Sequence, residues 1–245
     1  MGIVNLTPDS FYSGSRTAAA EFMPKVRQMV LDGADVIDIG ACSTRPGAPQ
    51  PSLEEEWARL EPALTALAGK ESSPAISIDT YRPEIVRRAY GIIGPFIVND
   101  VGGGEPEMLE TVGALGLPYI AMHGRKPERD VIEDILDFFR EFAVRADANG
   151  VTDWILDPGF GFGKDIDQNY EVLNRLDELK KVGRDILVGI SRKSMIYKKL
   201  GVTPEEAMPE TLVLERIALE KGATWLRVHD IAETVQMVKD YSSTM

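Results

Sequence analysis

Eight short apolar runs, each ending in polar or charged residues and followed by a helix-period stretch, limit what this chain can fold into. The runs are Gly2–Val4, Val36–Ile39, Ala75–Ile78, Phe96–Val98, Tyr119–Met122, Trp154–Leu156, Ile186–Ile190 and Trp225–Val228. Periodicity alone does not make strands of runs this short. The Gly, Pro, Ser and Asp loops behind them, and the amphipathic segments beyond, support that assignment. The first run, ending in Asn5, has no lead-in, so the core either begins abruptly there or has residues upstream.

The intervening segments read as helices. Phe22, Val26, Met29 and Val30 share one helical face, with Gly33 as the stop. Ser52 and Glu55 form a capping box before Trp57, Leu60, Leu64 and Leu67, and Pro62 is expected to bend that helix. Val131, Ile135, Phe138, Phe142 and Ala146 make a longer stripe ending at Gly150; Tyr170, Leu173, Leu176 and Leu179 make another before Gly183. Asp230 is placed to cap a last helix carrying Ile231, Val235 and Val238. Eight such units in 245 residues average about 30 each, the size of a strand–helix unit. Alternation of this kind implies a parallel sheet covered on its faces. Eight units suggest closure into an α/β fold of the (β/α)8 TIM-barrel type, typically ~250 residues; an open doubly wound sheet is the alternative. No linker or composition shift divides the chain, so residues 1–245 read as one domain.

Composition removes several function classes. Lys and Arg number 27 against 39 Asp and Glu, a net charge of −12. That balance argues against nucleic-acid or anionic-membrane partners, while leaving room for a local basic pocket. One cysteine, Cys42, excludes an intramolecular disulfide and suits a reducing, cytoplasmic setting; with no base beside it in sequence, it reads as a small buried residue. The longest apolar candidate, Ala89 to Val98, is interrupted by Pro95 and falls short of the ~18 residues of a membrane span.

The polar residues fall at strand ends. Asn5, Asp79, Asn99 with Asp100, His123 and Asp157 close or follow successive runs, and Asp38 lies within the second. Ser191-Arg192-Lys193-Ser194 follows the seventh, and Arg227-Val228-His229-Asp230 closes the eighth. In a barrel these ends share one face, where such enzymes place their sites. Asp79, Asn99 and Asp157 suit the amino–amide edge of a flat heterocycle. Arg227, His229 and Arg45 suit phosphate oxygens. Asn5 and Asp9 are hard oxygen donors for a phosphate-bound Mg2+. Lys193-Ser194, where a helix begins, suits a carboxylate. The glycine-rich stretches 102–104 and 159–163 match no nucleotide fingerprint. His123 reads equally as a core-edge residue or a site residue.

Taken in order, these residues resemble dihydropteroate synthase. Met1 to Phe11 (Met-Gly-Ile-Val-Asn-Leu-Thr-Pro-Asp-Ser-Phe) resembles its first signature, and Asp38-Ile39-Gly40 with Ser43-Thr44-Arg45-Pro46-Gly47 its second. Ser77-Ile78-Asp79-Thr80, Asn99-Asp100-Val101, Met122-His123, Asp157-Pro158-Gly159, Ser191-Arg192-Lys193 and Arg227-Val228-His229-Asp230 follow in family order. The resemblance implies a barrel enzyme of folate biosynthesis. It condenses 4-aminobenzoate with 7,8-dihydropterin-6-ylmethyl diphosphate, releases pyrophosphate, uses Mg2+ and is the target of sulfonamides. It further implies that Asp79, Asn99, Met122, Asp157 and Lys193 hold the pterin. Asn5, Arg227 and His229 would serve the diphosphate, with Asn5 meeting the metal. Thr44, Pro46, Phe162, Lys193 and Ser194 would line the aminobenzoate pocket, while Asp9, Phe11 and Arg45 would sit on loops that close over the site. Asp157, Lys193, Asp9 and Arg45 are the residues expected to carry catalysis, in an SN1-like step. A homodimer is expected on the same ground, with the segment Leu212–Leu219 a candidate for its interface.

Three stretches depart from the family pattern: Ala41-Cys42 in place of the usual Gly-Glu, Tyr12-Ser13-Gly14-Ser15, and a short segment after His123. Two other readings share part of this pattern. A methyltetrahydrofolate-using methyltransferase shares the pterin-edge residues but leaves the anion-binding group unexplained. A catalytically silent pterin-binding homologue shares the contacts and lacks turnover.

Overall fold

The computed structural model describes residues 1–6, 15–42, 50–70 and 74–243, with residues 15–20 described for their backbone alone. Strand and helix alternate along it. β1 (Gly2–Asn5), α1 (Ser15–Leu31), β2 (Val36–Gly40), α2 (Leu53–Leu67), β3 (Ala75–Asp79), α3 (Pro83–Ile93), β4 (Ile97–Asp100) and α4 (Pro106–Leu115) form the first half. β5 (Tyr119–Met122), α5 (Val131–Ala148), β6 (Trp154–Asp157), α6 (Ile166–Asn174), β7 (Leu187–Val188), α7 (Ser194–Leu200), α8 (Met208–Glu220), β8 (Trp225–Leu226) and α9 (Ile231–Ser242) form the second.

Strands β1 to β6 pair in sequence order as one parallel ladder, and β7 pairs β8 separately. Two seams join these sheets. Leu156 bridges Ile186, and Gly2 bridges Val228. Leu156 N–H donates to Asp185 O at 2.9 Å, Ile3 N–H to Val228 O at 3.0 Å and Val228 N–H to Met1 O at 2.9 Å. The eight strands therefore form a ring, the expected (β/α)8 barrel, in which the last two strands are short and joined through bridges.

Alternation along each strand sorts the side chains. One set, including Val4, Ile37, Ile39, Ile78, Val98, Tyr119, Ala121 and Leu156, packs outward into the main core shared with the helices. The other forms a separate cluster of Ile120, Ile155 and Leu187, with Met1, Ile97 and Trp225 against it, which fills the barrel axis. Two positions beyond Ile97, Ile120, Ile155 and Trp225 stand Asn99, Met122, Asp157 and Arg227, and the register puts Asp38 and Asp79 of β2 and β3 on the same inward face.

Local sequence accounts for most helix ends. Ser52 and Glu55 form the expected capping box, Glu55 N–H donating to Ser52 Oγ at 3.2 Å and Ser52 N–H to Glu55 Oε2 at 2.7 Å. α2 runs on through Pro62 to Leu67. Gly33, at φ 99°, ends α1: its N–H reaches Val30 O at 3.0 Å and Ala34 N–H reaches Met29 O at 2.9 Å, a Schellman closure that needs a left-handed residue. Two expectations change. Val30 is 40% exposed, while Phe22, Val26 and Met29 are buried, so the buried stripe of α1 is narrower than its apolar pattern. The Tyr170-to-Leu179 stripe is not one helix: α6 ends at Asn174 and a 3-10 helix spans Leu176–Val182. Arg175, which joins them, holds Asp130, Glu171 and Glu178. Among the described residues no helix is long and apolar enough to cross a membrane.

Candidate active site

The inward row at the strand ends forms one ionic cluster. Arg227, one residue beyond β8, donates through Nε to Asp38 Oδ2 at 2.6 Å and through Nη2 to Asp79 Oδ2 at 2.8 Å. Asn99 Nδ2 donates to both Asp38 oxygens, at 3.2 and 3.3 Å. Three of the four come from β2, β3 and β4 and the fourth directly follows β8, and Asp38, Asp79 and Asn99 are buried. Burial lifts the Asp79 carboxyl to about 7 against the pull of Arg227, with Asp38 and Asp100 adding to the rise. Burial works the other way on Arg227, but Asp38 and Asp79 outweigh it and hold the guanidinium firmly charged. Glycine keeps space here: a Cβ on Gly40 would lie 3.2 Å from Asp79 Cβ, and one on Gly189 would lie 3.7 Å from Arg227 Cβ.

Across the barrel mouth, Asp157 ends β6, paired in register with Met122 of β5. Its Oδ1 accepts from Gly159 N–H at 2.7 Å. Gly159 sits at φ 71°, and a side chain there would run into the His123 carbonyl, so only glycine turns the chain so tightly at this point. Burial raises the Asp157 pKa, partly offset by Lys193. Lys193 enters from the β7–α7 connection. Its ammonium donates to Phe160 O and lies 4.9 Å from the centre of the Phe162 ring, inside the range of a cation–π contact. Burial lowers its pKa to about 8, with Asp157 opposing that shift.

Arg192, beside it, has another job. It adopts φ 53°, a conformation uncommon outside glycine. Its guanidinium takes both oxygens of Asp230, Nε to Oδ2 at 2.8 Å and Nη2 to Oδ1 at 2.5 Å. Asp230 therefore stands at the start of α9 without a side-chain cap bond; the expected cap is replaced by an ion pair that ties the β7 and β8 loops together. Ser194, half-buried, opens α7, a helix of 7 residues. His229 is exposed, its N–H donating to Ser191 Oγ at 3.2 Å; desolvation and then Arg227 lower its imidazole pKa.

The structure thus brings Asp79, Asn99, Met122, Asp157, Lys193, Phe162, Ser194, Arg227, His229 and Asn5 to the C-terminal mouth of one barrel. Asp9, Phe11, Thr44, Arg45 and Pro46 lie outside the described residues. Cys42 is buried as expected, and burial pushes its thiol up to about 12. His123 is buried, bonded to Asp134 at 2.8 Å and Lys164 at 2.9 Å, so it supports the mouth from below. Two residues had drawn no role from the sequence. Asp38 binds both Arg227 and Asn99, and its signal was an acid inside an otherwise apolar run. Lys164 is 9% exposed; nothing in Gly-Phe-Gly-Lys distinguishes a buried lysine from a solvated one. Among the described residues no group of three or more His, Cys, Asp or Glu is placed to hold a metal. Asn5, half-buried at the end of β1, offers one oxygen, which fits a Mg2+ that arrives with substrate phosphates and borrows few protein ligands.

A family model for pterin binding enzymes matches residues 1–229. Dihydropteroate synthase of Escherichia coli K12 is 38% identical over 258 aligned residues, spanning 100% of this chain and 91% of that protein. The solved structure of dihydropteroate synthase from Clostridium difficile, in the presence of pteroic acid, aligns with a TM-score of 0.93 at 37% identity, covering 100% of this chain and 95% of that chain. The Xanthomonas albilineans enzyme with 4-aminobenzoic acid aligns at 0.91 and 36% identity, covering 100% and 92%.

Proposed function

This chain belongs to the pterin-binding enzyme family, among its dihydropteroate synthases, and from that premise we propose how its strand-end residues divide the reaction. The activity joins 4-aminobenzoate to 7,8-dihydropterin-6-ylmethyl diphosphate, giving dihydropteroate and pyrophosphate in folate biosynthesis. The observation that carries the residue assignment is the inward row itself. Asp79, Asn99, Met122, Asp157 and Arg227 stand at or beside the C-terminal ends of five strands on one face, with Lys193 reaching in beside Asp157.

In this reading Asp79, Asn99 and Asp157 meet the amino and ring N–H groups of the pterin, and Met122 packs against its flat face. Arg227, aligned by Asp38, presents its remaining N–H groups to the diphosphate together with His229 and Asn5. Asn5 would hold a Mg2+ that arrives with the diphosphate, and that ion would supply charge neutralisation for the leaving group. Lys193 lies between the two substrates, with Phe162 and Ser194 forming the near wall of the aminobenzoate pocket. Asp9, Thr44, Arg45 and Pro46 complete the assignment by resemblance.

The chemistry needs little from a base. A neutral aniline is already nucleophilic, so holding it in line is worth more than deprotonating it. As the C–O bond to the diphosphate breaks, the dihydropterin takes up positive charge, and the fixed Asp157 carboxylate stabilises it. Bond breaking runs ahead of amine attack, an SN1-like step without a covalent enzyme intermediate. We also propose a cytoplasmic homodimer, inhibited by sulfonamides at the aminobenzoate pocket.

The test is pyrophosphate release from dihydropterin diphosphate with Mg2+, with and without 4-aminobenzoate, with dihydropteroate followed by chromatography. Product that requires both substrates and is blocked by a sulfonamide supports the reading. Pterin binding without product identifies a silent homologue and overturns it.

A further inference from the structure

Below the strand-end site lies a buried lysine that the reaction as described does not use. Lys164 Nζ lies 2.9 Å from His123 Nδ1, and donates to His123 O at 3.0 Å, Gly159 O at 3.1 Å and Phe162 O at 3.2 Å. Burial lowers the Lys164 pKa to about 7, with Asp157 opposing the shift; in the ammonium form its three protons are shared among these four atoms, and each of them accepts. Facing that ammonium, His123 Nδ1 is bare and the ring proton sits on Nε2, 2.8 Å from the Asp134 Oδ1 that accepts it. Asp134 is fixed in turn by Arg125 Nε at 3.1 Å and Glu128 N–H at 3.3 Å. Burial first, and Lys164 second, push the His123 pKa down to about 4, which keeps the imidazole neutral and able to accept.

Three of the four contacts from Lys164 end on backbone carbonyls that shape the site. Gly159 gives its carbonyl to Lys164 and its N–H to Asp157 Oδ1. The next residue, Phe160, gives its carbonyl to the Lys193 ammonium. Gly161 leaves room for the Lys193 stem, since a Cβ there would stand 3.3 Å from Lys193 Cδ. Phe162 gives its carbonyl to Lys164 and its ring to Lys193. His123 directly follows Met122. Asn169 closes the far end of the turn, accepting from Gly161 N–H at 2.7 Å and donating to Lys164 O at 3.2 Å.

We propose that Lys164 is a positioning residue for this reaction: its ammonium ties the 158–164 turn to the end of β5 and so sets the Asp157 carboxylate and the Lys193 amine against the substrates. Desolvating an ammonium is costly, and an apolar side chain would fill the same volume without that cost. What an apolar side chain cannot supply is convergence on three carbonyls and one ring nitrogen. Asp79 and Asn99, on β3 and β4, stand outside this linkage. The inference rests on the assignment of Asp157 and Lys193 to the substrates.

Lys164→Met separates positioning from folding. With circular dichroism unchanged, kcat is expected to fall roughly 30-fold and the KM for 4-aminobenzoate to rise roughly 10-fold, within the ~10²-fold that a 1 Å misplacement can cost. The KM for dihydropterin diphosphate should move less, because Asp79 and Asn99 keep their places. Lys164→Gln, which still donates to carbonyls, should recover part of the loss. Imidazole 15N spectra add a reading independent of substrate, since the chain has only 2 histidines. Wild-type His123 should appear as the neutral Nε2–H tautomer, and in Lys164→Met its Nδ1 signal should move to that of an unbonded acceptor.

Folded Lys164→Met with unaltered kinetics overturns the proposal, as does a loss equal for all parameters and matched by loss of folded protein. If neither variant folds, the wild-type spectrum decides: an Nδ1–H or charged His123 refutes the geometry. Lys193→Ala run in parallel separates the two readings. A Lys193→Ala enzyme with normal kinetics overturns the site assignment and this inference with it, whereas an impaired Lys193→Ala beside a normal Lys164→Met overturns the inference alone.

Discussion

Two unlike layers stand inside the barrel, two residues apart where β4, β6 and the end of β8 supply both. The lower layer, with Ile97, Ile120, Ile155, Leu187 and Trp225, is apolar and fills the axis. The upper layer, with Asp38, Asp79, Asn99, Asp157 and Arg227, is charged and joined by directed bonds. The pairs Ile97/Asn99, Ile155/Asp157 and Trp225/Arg227 differ only by one step of the two-residue strand period. The lower layer stabilises the fold through burial and has no directional demand. The upper layer gives up that burial energy and holds groups whose charge is costly to desolvate, as the raised carboxyl pKa values of Asp79 and Asp157 record. An enzyme of this shape separates stability from chemistry by height along the barrel axis.

Substitutions in matched positions can break that division. Asp157→Asn should show the largest effect: turnover falling ~10²–10³-fold, about 3–4 kcal/mol of lost electrostatic stabilisation, with melting temperature unchanged or raised. Steady-state pyrophosphate release together with thermal unfolding checks both halves, and full activity would refute the role given to Asp157. Ile155→Ala, one step lower on the same strand, should do the reverse. It should cost about 3 kcal/mol of unfolding free energy from its lost burial and cavity, read by urea denaturation, while KM for both substrates stays near wild type. Raised KM values without destabilisation would show that the two layers are not separable.

Lys193→Ala should weaken both substrates, by about 2 kcal/mol each at most, the scale of a hydrogen bond from a charged donor. Titration calorimetry with pteroate-like and aminobenzoate-like ligands measures each half, and an effect on one alone would move Lys193 out of the position between the pockets.

A smaller effect tests whether buried charge outside the mouth behaves differently. Glu215, on α8, is 1% exposed, accepts from Thr234 Oγ1 at 2.9 Å and leaves Oε1 without a partner. Burial raises its pKa from 4.5 to about 7. Its folded pKa lies above its unfolded one, so its stabilising contribution is complete below pH 4.5 and is lost as pH rises through 7. The slope is on the order of 1 kcal/mol per pH unit across that window. Glu215→Gln should flatten the fall in melting temperature between pH 5 and 8, and an unchanged slope would assign it to other groups.

Much of this was legible in the chain. The eight apolar runs became eight strands because a buried parallel strand needs only a short apolar stretch and a loop to leave it. The capping box at Ser52 and Glu55 and the Gly33 stop were readable because caps depend on residues three or four apart. Asp230 was misread on the same logic. The residue is a good cap, but Arg192, 38 positions away in sequence, takes both its oxygens. The stripe from Tyr170 to Leu179 looked continuous because periodicity does not register the Arg175 ion pairs that accompany the change from α6 to a 3-10 turn.

The sequence by itself determined the order of strands and helices, the placement of polar residues at the strand ends and, through eight signatures in family order, the family. Those properties follow from short apolar runs with their loops, from helical periods between them and from residue types at fixed spacing. Tertiary structure alone decided which charges meet. Arg227 reaches Asp38 and Asp79, 189 and 148 residues away in sequence, only because ring closure sets the end of the chain's last strand beside β1. Lys164 is a buried anchor only because the turn after β6 folds under the end of β5. A side chain's charge is written in the sequence, but its desolvation and its partners are properties of the space into which the barrel closes.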